Sequence, residues 1–266
     1  MLSFEFIIPY TPIPPPLVKG KITMTATVTQ DYKITWEKLP DDYKLPDEPV
    51  DNINQPSLAA ALTESLEFAG KLPQNALAPT NYGICATVNG KIVIKAPDWA
   101  YVPSIRVARE EVKRSYTPQL QGDMPVIVME FISDTDGAEY SIKPTYPPGK
   151  WFFYERILKV PNYVIFEPDS GSIEVYRLHN SEQYLVQPPD ENNRYWIAEM
   201  NLNLGVWQGT RENRTDYWLR WWDEQGQLLL WGSELAEQER QRAEQERQRA
   251  ERLAAQLRAA GIEPEA

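Results

Sequence analysis

Three charged side chains stand inside otherwise apolar stretches of this chain. Asp98 lies in Ala96-Pro97-Asp98-Trp99-Ala100-Tyr101-Val102, Glu130 in Pro125-Val126-Ile127-Val128-Met129-Glu130-Phe131-Ile132, and Lys150 in Gly149-Lys150-Trp151-Phe152-Phe153-Tyr154. A charge in a buried strand is costly unless a partner compensates it. Two carboxylates brought to about 4 Å repel by ~4 kcal/mol at an effective dielectric of 20, so a proton, a lysine or a divalent cation must relieve them. Oxygen-only donors favour Mg²⁺ or Mn²⁺. An ion so held can activate water and brace a phosphate oxygen, and a lysine entering from a helix can orient that water or steady developing charge. These are the residue types that phosphodiester hydrolysis uses. Two other readings stand beside this one. An Asp after Pro is commonly a turn residue and a Glu at a strand end commonly a surface one. Asp98 and Glu130 could also act as the acid and nucleophile of a glycosidase, which would need no metal.

Composition narrows the alternatives. One cysteine, Cys85, can form neither an intramolecular disulfide nor a thiolate zinc site. One histidine, His179, removes most histidine-based metal and triad chemistry. A net charge of -11 argues against broad, non-specific coating of DNA, which requires a basic face, but not against a local basic groove. The most basic local stretch outside the tail is 104–124, with Arg106, Arg109, Lys113 and Arg114. No apolar run reaches the ~18 residues of a membrane span. Residues 1–17 are apolar but proline-rich, a poor signal peptide. A cytoplasmic protein without membrane contact or nucleotide cofactor is expected, and 1–23 read as a misplaced start or a loose arm.

The elements that would position the three residues follow from periodicity. Residues 24–56 read as an irregular arm with one short element near Tyr32–Trp36. Leu58, Leu62, Leu66 and Ala69 predict a helix over 57–69, capped by Asn54 or Ser57 and ended by Gly70, with Glu64 and Glu67 on its solvated face. Asn89-Gly90 between apolar runs predicts a hairpin over 82–96 with a type I′ turn and Cys85 packed inside. A strand over 126–132, a turn at Ser133–Gly137, a helix over 150–159 and a buried strand over 162–166 follow. Beyond them six short runs between Ile173 and Trp231 predict a β meander, with Trp207, Trp218, Trp221, Trp222 and Trp231 in a second apolar layer. From Glu234 to Arg258 the chain is nearly pure helix former, with the repeat Ala236–Arg242 recurring from Ala243. Its seam of Ala with Arg or Glu predicts either a solvated helix or a homodimer stalk.

The Asp98 and Glu130 motifs, and the Lys150-x-x-x-Tyr154 helix leading to Tyr163-Val-Ile-Phe-Glu-Pro, resemble the Uma2 family over roughly residues 45–205, with a C-terminal region similar to that of a cyanobacterial subgroup. The resemblance implies the PD-(D/E)XK nuclease superfamily and a restriction-endonuclease-like α+β fold: a central mixed sheet with flanking helices, here with an added β meander and a long C-terminal helix. Three parts are expected: an arm over 1–44, the nuclease-like domain over 45–232 and a charged helical tail over 233–266. The resemblance also implies a magnesium-dependent DNA endonuclease with Asp98 and Glu130 as metal ligands. The superfamily's lysine, expected two residues after Glu130, is replaced by Ile132, and Lys150 stands where a lysine from the following helix would be. Lys143 is a second candidate. The alternative is an inactive nuclease-fold protein that binds a partner through its tail.

Overall fold

The computed structural model describes residues 32–38, 54–132, 137–180 and 182–261. Most of the arm read over 1–44, and the turn at 133–136, lie outside the described residues. The unit Lys33–Ala266 is mixed α+β, with three sheets and a long C-terminal helix.

The central sheet has the order β4-β5-β6-β7-β8: β4 (Trp99–Tyr101), β5 (Ile127–Phe131), β6 (Asn162–Glu167), β7 (Ser172–His179) and β8 (Gln183–Val186). Only β5 and β6 run parallel; the other neighbours are antiparallel. β5 is buried along its whole length, which matches its unbroken apolar run and its covering on both faces. Strand alternation sorts its residues. Ile127, Met129 and Phe131 join Trp99, Val164 and Phe166 in the main core, with Leu58, Leu62 and Leu66 of α1 (Asn54–Phe68). Val128 and Glu130 face the other way, toward the segment that begins at Lys150.

The hairpin β2 (Ile84–Val88) and β3 (Lys91–Lys95) turns at Asn89 and Gly90 with φ of 51° and 76°, as the dipeptide predicts. β1 (Ile34–Thr35) falls within the short element read near Tyr32–Trp36 and pairs with β2. α1 begins at Asn54, three residues before the expected Ser57, so Asn54 lies inside the helix; Gly70 follows its end with φ 66°.

Three readings need correction. The single meander is two sheets: β7 and β8 extend the central one, while β9 (Arg194–Ile197), β10 (Leu202–Arg211) and β11 (Arg214–Trp222) form another. The runs at 205–207 and 218–222 are parts of a long hairpin turned by Glu212 and Asn213, both at positive φ; residues 228–231 contribute only a bridge from Leu228 to Trp222. Glu64 is not a free solvated side chain: it pairs with Arg211 at 2.6 Å and accepts from the Gly232 amide. The expected 150–159 helix is three α-helical residues, α2 (Lys150–Phe152), running into a π-helical turn, Phe153–Leu158, that Lys159 ends in the left-handed region.

The tryptophans pack as a layer: Trp99, Trp218, Trp221 and Trp231 are all buried. α3 (Gly232–Ala259) has no buried residue. Of the four i,i+3 pairs that the repeat offers, Glu237–Arg240, Glu239–Arg242 and Glu244–Arg247 form among the described residues, and Glu246–Arg249 is not among them. No helix of the described residues is long and apolar enough to cross a membrane.

Candidate active site

The antiparallel register of β4 and β5 sets Trp99 opposite Met129. The next position outward sets Asp98 opposite Glu130, and cross-strand partners have Cβ atoms about 4.5–5.5 Å apart on one face. Asp98 Oδ2 accepts from the Phe131 amide at 2.6 Å. That bond uses one carboxylate oxygen; Oδ1 has no hydrogen-bond partner among the described residues. The last carbonyl of β5, Phe131, accepts from the buried Gln55 side chain at 2.8 Å, which ties the start of α1 to the strand end.

Glu130 is fully buried and both its oxygens are engaged. Oε2 accepts from Lys150 Nζ at 3.0 Å and Oε1 from the Tyr154 hydroxyl at 2.9 Å. Lys150 and Tyr154 are four residues apart, the spacing that stacks side chains along one helix face. A π-helical turn begins between them, a feature often found at functional sites. Ile132 shares the face of Glu130 by alternation but brings no charge, and the ammonium arrives from α2 instead. Lys143 is exposed and has no acidic partner within ion-pair distance among the described residues; its backbone carbonyl accepts from the Gly149 amide.

Lys150 is placed by a tight loop. A Cβ on Gly149 would lie 2.0 Å from the Ser141 carbonyl oxygen, so only glycine fits where the loop closes. Gly149→Ala is expected to cost ~1–3 kcal/mol, as overpacking does, and to displace the head of α2. Chemical denaturation checks it; an unchanged midpoint would show that the loop yields freely.

Glu139, on the 3₁₀ turn Ala138–Tyr140, is a fourth member that the motifs do not single out. Its Oε1 lies 3.5 Å from Lys150 Nζ, and its carbonyl accepts from the Tyr163 hydroxyl at 2.8 Å. The signal was present: Glu139 is the sole acid between Gly137 and Lys150.

Burial dominates the electrostatics. It pushes Glu130 up to about 8, with Lys150 and Tyr154 opposing and Asp98 adding to the rise. It pushes Asp98 up to about 6, against the Phe131 amide and Lys150 and with Glu139. For Lys150 burial acts downward, but the Glu130 carboxylate outweighs it and the ammonium is held above the usual lysine range. Two carboxylates share a face with one cation and one hydroxyl donor.

Among the described residues no three His, Cys, Asp or Glu side chains gather to hold a metal alone. An ion resting on Asp98 and Glu130 would therefore complete its shell with water and substrate oxygens. Mg²⁺ is commonly bound in this way, through one or two carboxylates and a phosphate, so the donor types fit. Asp98 Oδ1, unpartnered among the described residues, is free for an ion, and Glu130 Oε2 is reached by displacing Lys150.

Residues 59–212 match the family model Uma2, described as a putative restriction endonuclease. A comparison with curated proteins finds no match.

Proposed function

The chain belongs to the Uma2 family, and on that premise we propose that it hydrolyses phosphodiester bonds in DNA with Mg²⁺ or Mn²⁺ held by Asp98 and Glu130. The observation that carries the reading is the 3.0 Å contact of Lys150 Nζ with Glu130 Oε2 on the face that Asp98 shares. When bound, the ion supplies Lewis-acid polarisation of a phosphate oxygen and a more acidic water.

The chain's own residues do the rest. Tyr154 fixes Oε1 of Glu130, and the Phe131 amide fixes Oδ2 of Asp98, so both carboxylates are oriented before substrate arrives. Lys150 serves as the charge-stabilising group. Once Glu130 Oε2 is used for a cation, the ammonium keeps Glu139 as a partner within 3.5 Å, and so stays charged and in place. A held ammonium beside the scissile phosphate stabilises charge that develops there. Incubating supercoiled plasmid with the full chain in Mg²⁺, Mn²⁺ or chelator tests the reading. Nicked or linear product with metal alone is expected; product that persists in chelator would point away from a metal-dependent nuclease.

The raised carboxyls also set a pH dependence. An ion entering at about pH 6 must displace protons from Glu130, so Mg²⁺ affinity is expected to rise between about pH 6 and pH 8.5, with proton release on binding. Calorimetry in buffers of different ionisation enthalpy reads both; a pH-independent affinity without proton release would contradict the assignment. The sign for the metal-free fold follows from the same shift. Glu130 moves from 4.5 to about 8 on folding, so the folded state binds its proton more tightly. That stability is fully present below 4.5 and is lost as pH rises through about 8.

A further inference from the structure

Charge is distributed unevenly near the site. The chain has 38 acidic and 27 basic residues, yet residues 82–96 and 140–149 contain Lys91, Lys95 and Lys143 and no acid; Lys150, next along, is already paired with Glu130 and Glu139. The fold brings these two stretches together. The Tyr146 hydroxyl donates to the Ile92 carbonyl of β3 at 3.2 Å, and Lys91 Nζ lies over the Tyr146 ring, 5.0 Å from its centroid. The more basic stretch at 104–124 is partly consumed internally: Arg106 pairs with Asp123, and Arg109 donates to the Gln74 and Ala76 carbonyls.

Large apolar side chains are exposed at the same place. Tyr140, Ile142 and Tyr146 are 39%, 70% and 51% exposed. Tyr140 stacks on Trp151 with centroids 6.4 Å apart and planes at 26°, and Trp151 follows Lys150 in the chain. The loop is pinned where Gly149 meets Ser141, where Phe152 donates to the Ser141 carbonyl and where Tyr163 holds Glu139. Two exposed tyrosine rings on one pinned loop, with Lys91 over one of them and Lys143 between them in sequence, have the chemistry that tracks a strand: rings for bases, ammonium groups for phosphates.

We propose that the loop 140–149 and the adjoining edge of β3 bind an unpaired DNA strand, with Tyr140 and Tyr146 stacking on bases and Lys91 and Lys143 meeting phosphates. This rests on the reading that the chain acts on DNA, and assigns single-stranded or locally opened DNA as the preferred substrate. Bases inside a duplex offer no free face to a ring, so the rings act only where pairing is lost. Glu174 beside the Tyr140 hydroxyl, with Glu139 and Glu167 also near it, disfavours a phosphate there, which leaves that ring to a base.

The test uses the full chain in chelator, with a labelled oligothymidylate of about twelve nucleotides, within the range of such site sizes, and the duplex of the same length. Anisotropy is expected to show single-strand binding at least ~10-fold tighter than duplex binding, weakened ~5- to 100-fold by Tyr140→Ala and by Tyr146→Ala. Tyr146→Phe keeps the ring and loses only the bond to Ile92, so it should bind within ~2-fold of wild type; a structural role for the hydroxyl would instead move it with Tyr146→Ala. Preference for duplex, or alanine variants that bind as wild type, would overturn the proposal. So would self-association abolished by the same substitutions without strand binding, which would give this face to a second copy. Cleavage is scored separately in Mg²⁺. Ring-dependent strand binding without cleavage would defeat the nuclease reading alone; duplex cleavage indifferent to both rings would defeat the surface alone.

Discussion

Lys150→Ala is expected to lower the rate of Mg²⁺-dependent DNA cleavage by ~10²–10³, the loss that follows removal of one charge-stabilising donor from an active site. The reason is positional. Ile132 brings no charge to the face of Glu130, Lys143 is exposed without an acidic partner among the described residues, and Lys150 alone of these reaches Glu130, at 3.0 Å. Metal binding should respond differently. The ammonium and a cation compete for Glu130 Oε2, so Lys150→Ala should keep or tighten Mg²⁺ affinity while turnover falls. Single-turnover cleavage and a metal titration on one preparation separate the two effects. Cleavage within about threefold of wild type would remove Lys150 from the chemistry; loss of Mg²⁺ binding in parallel would make it a structural support for Glu130.

Arg220→Ala is expected to destabilise the fold by ~2–4 kcal/mol, somewhat less than the loss of one partner from a fully buried charge pair, because the Glu234 side chain left behind is 28% exposed and can be solvated. Arg220 is fully buried on β11. Its guanidinium donates to both oxygens of Glu234, at 3.1 and 2.6 Å, and to the Leu229 carbonyl, and lies 3.4 Å from the centroid of a Trp231 ring. Glu234 in turn accepts from the Trp231 amide at the start of α3, and the Trp231 indole donates to the Ala61 carbonyl of α1. One side chain therefore joins β11, α1 and the root of the C-terminal helix. Arg220→Lys should recover less than half of the loss, because an ammonium cannot make the two-pronged contact. Urea denaturation followed by tryptophan fluorescence measures both. A shift below ~1 kcal/mol would mean that the joint is redundant.

What could be read from the chain is what local chemistry controls. Asn89-Gly90 dictates its turn because both positions need positive φ. The unbroken apolar run of β5 gives a central strand with its one acid facing away from the main core, and the Leu58, Leu62 and Leu66 stripe gives α1. Asp98, Glu130 and Lys150 stand out because a charge in such a run needs a partner. The rest depends on pairings between distant residues. Nothing local distinguishes β7 and β8, which extend the central sheet, from β9–β11, which do not. The β10–β11 turn is hidden because Glu212 and Asn213 take positive φ without a glycine. Glu139, Gln55 and Arg220 act through partners 11, 76 and 14 residues away in sequence, and helical periodicity cannot separate an α-helix from the π turn at Phe153.

The most direct measurement is a calorimetric Mg²⁺ titration of the wild-type chain beside Asp98→Asn at about pH 8. Asparagine keeps an acceptor for the Phe131 amide and removes only the charge, so the fold should persist. The wild type should show saturable binding, and the variant should bind at least ~10-fold more weakly. Superimposable heats from the two proteins would contradict the metal site on which the proposed activity depends.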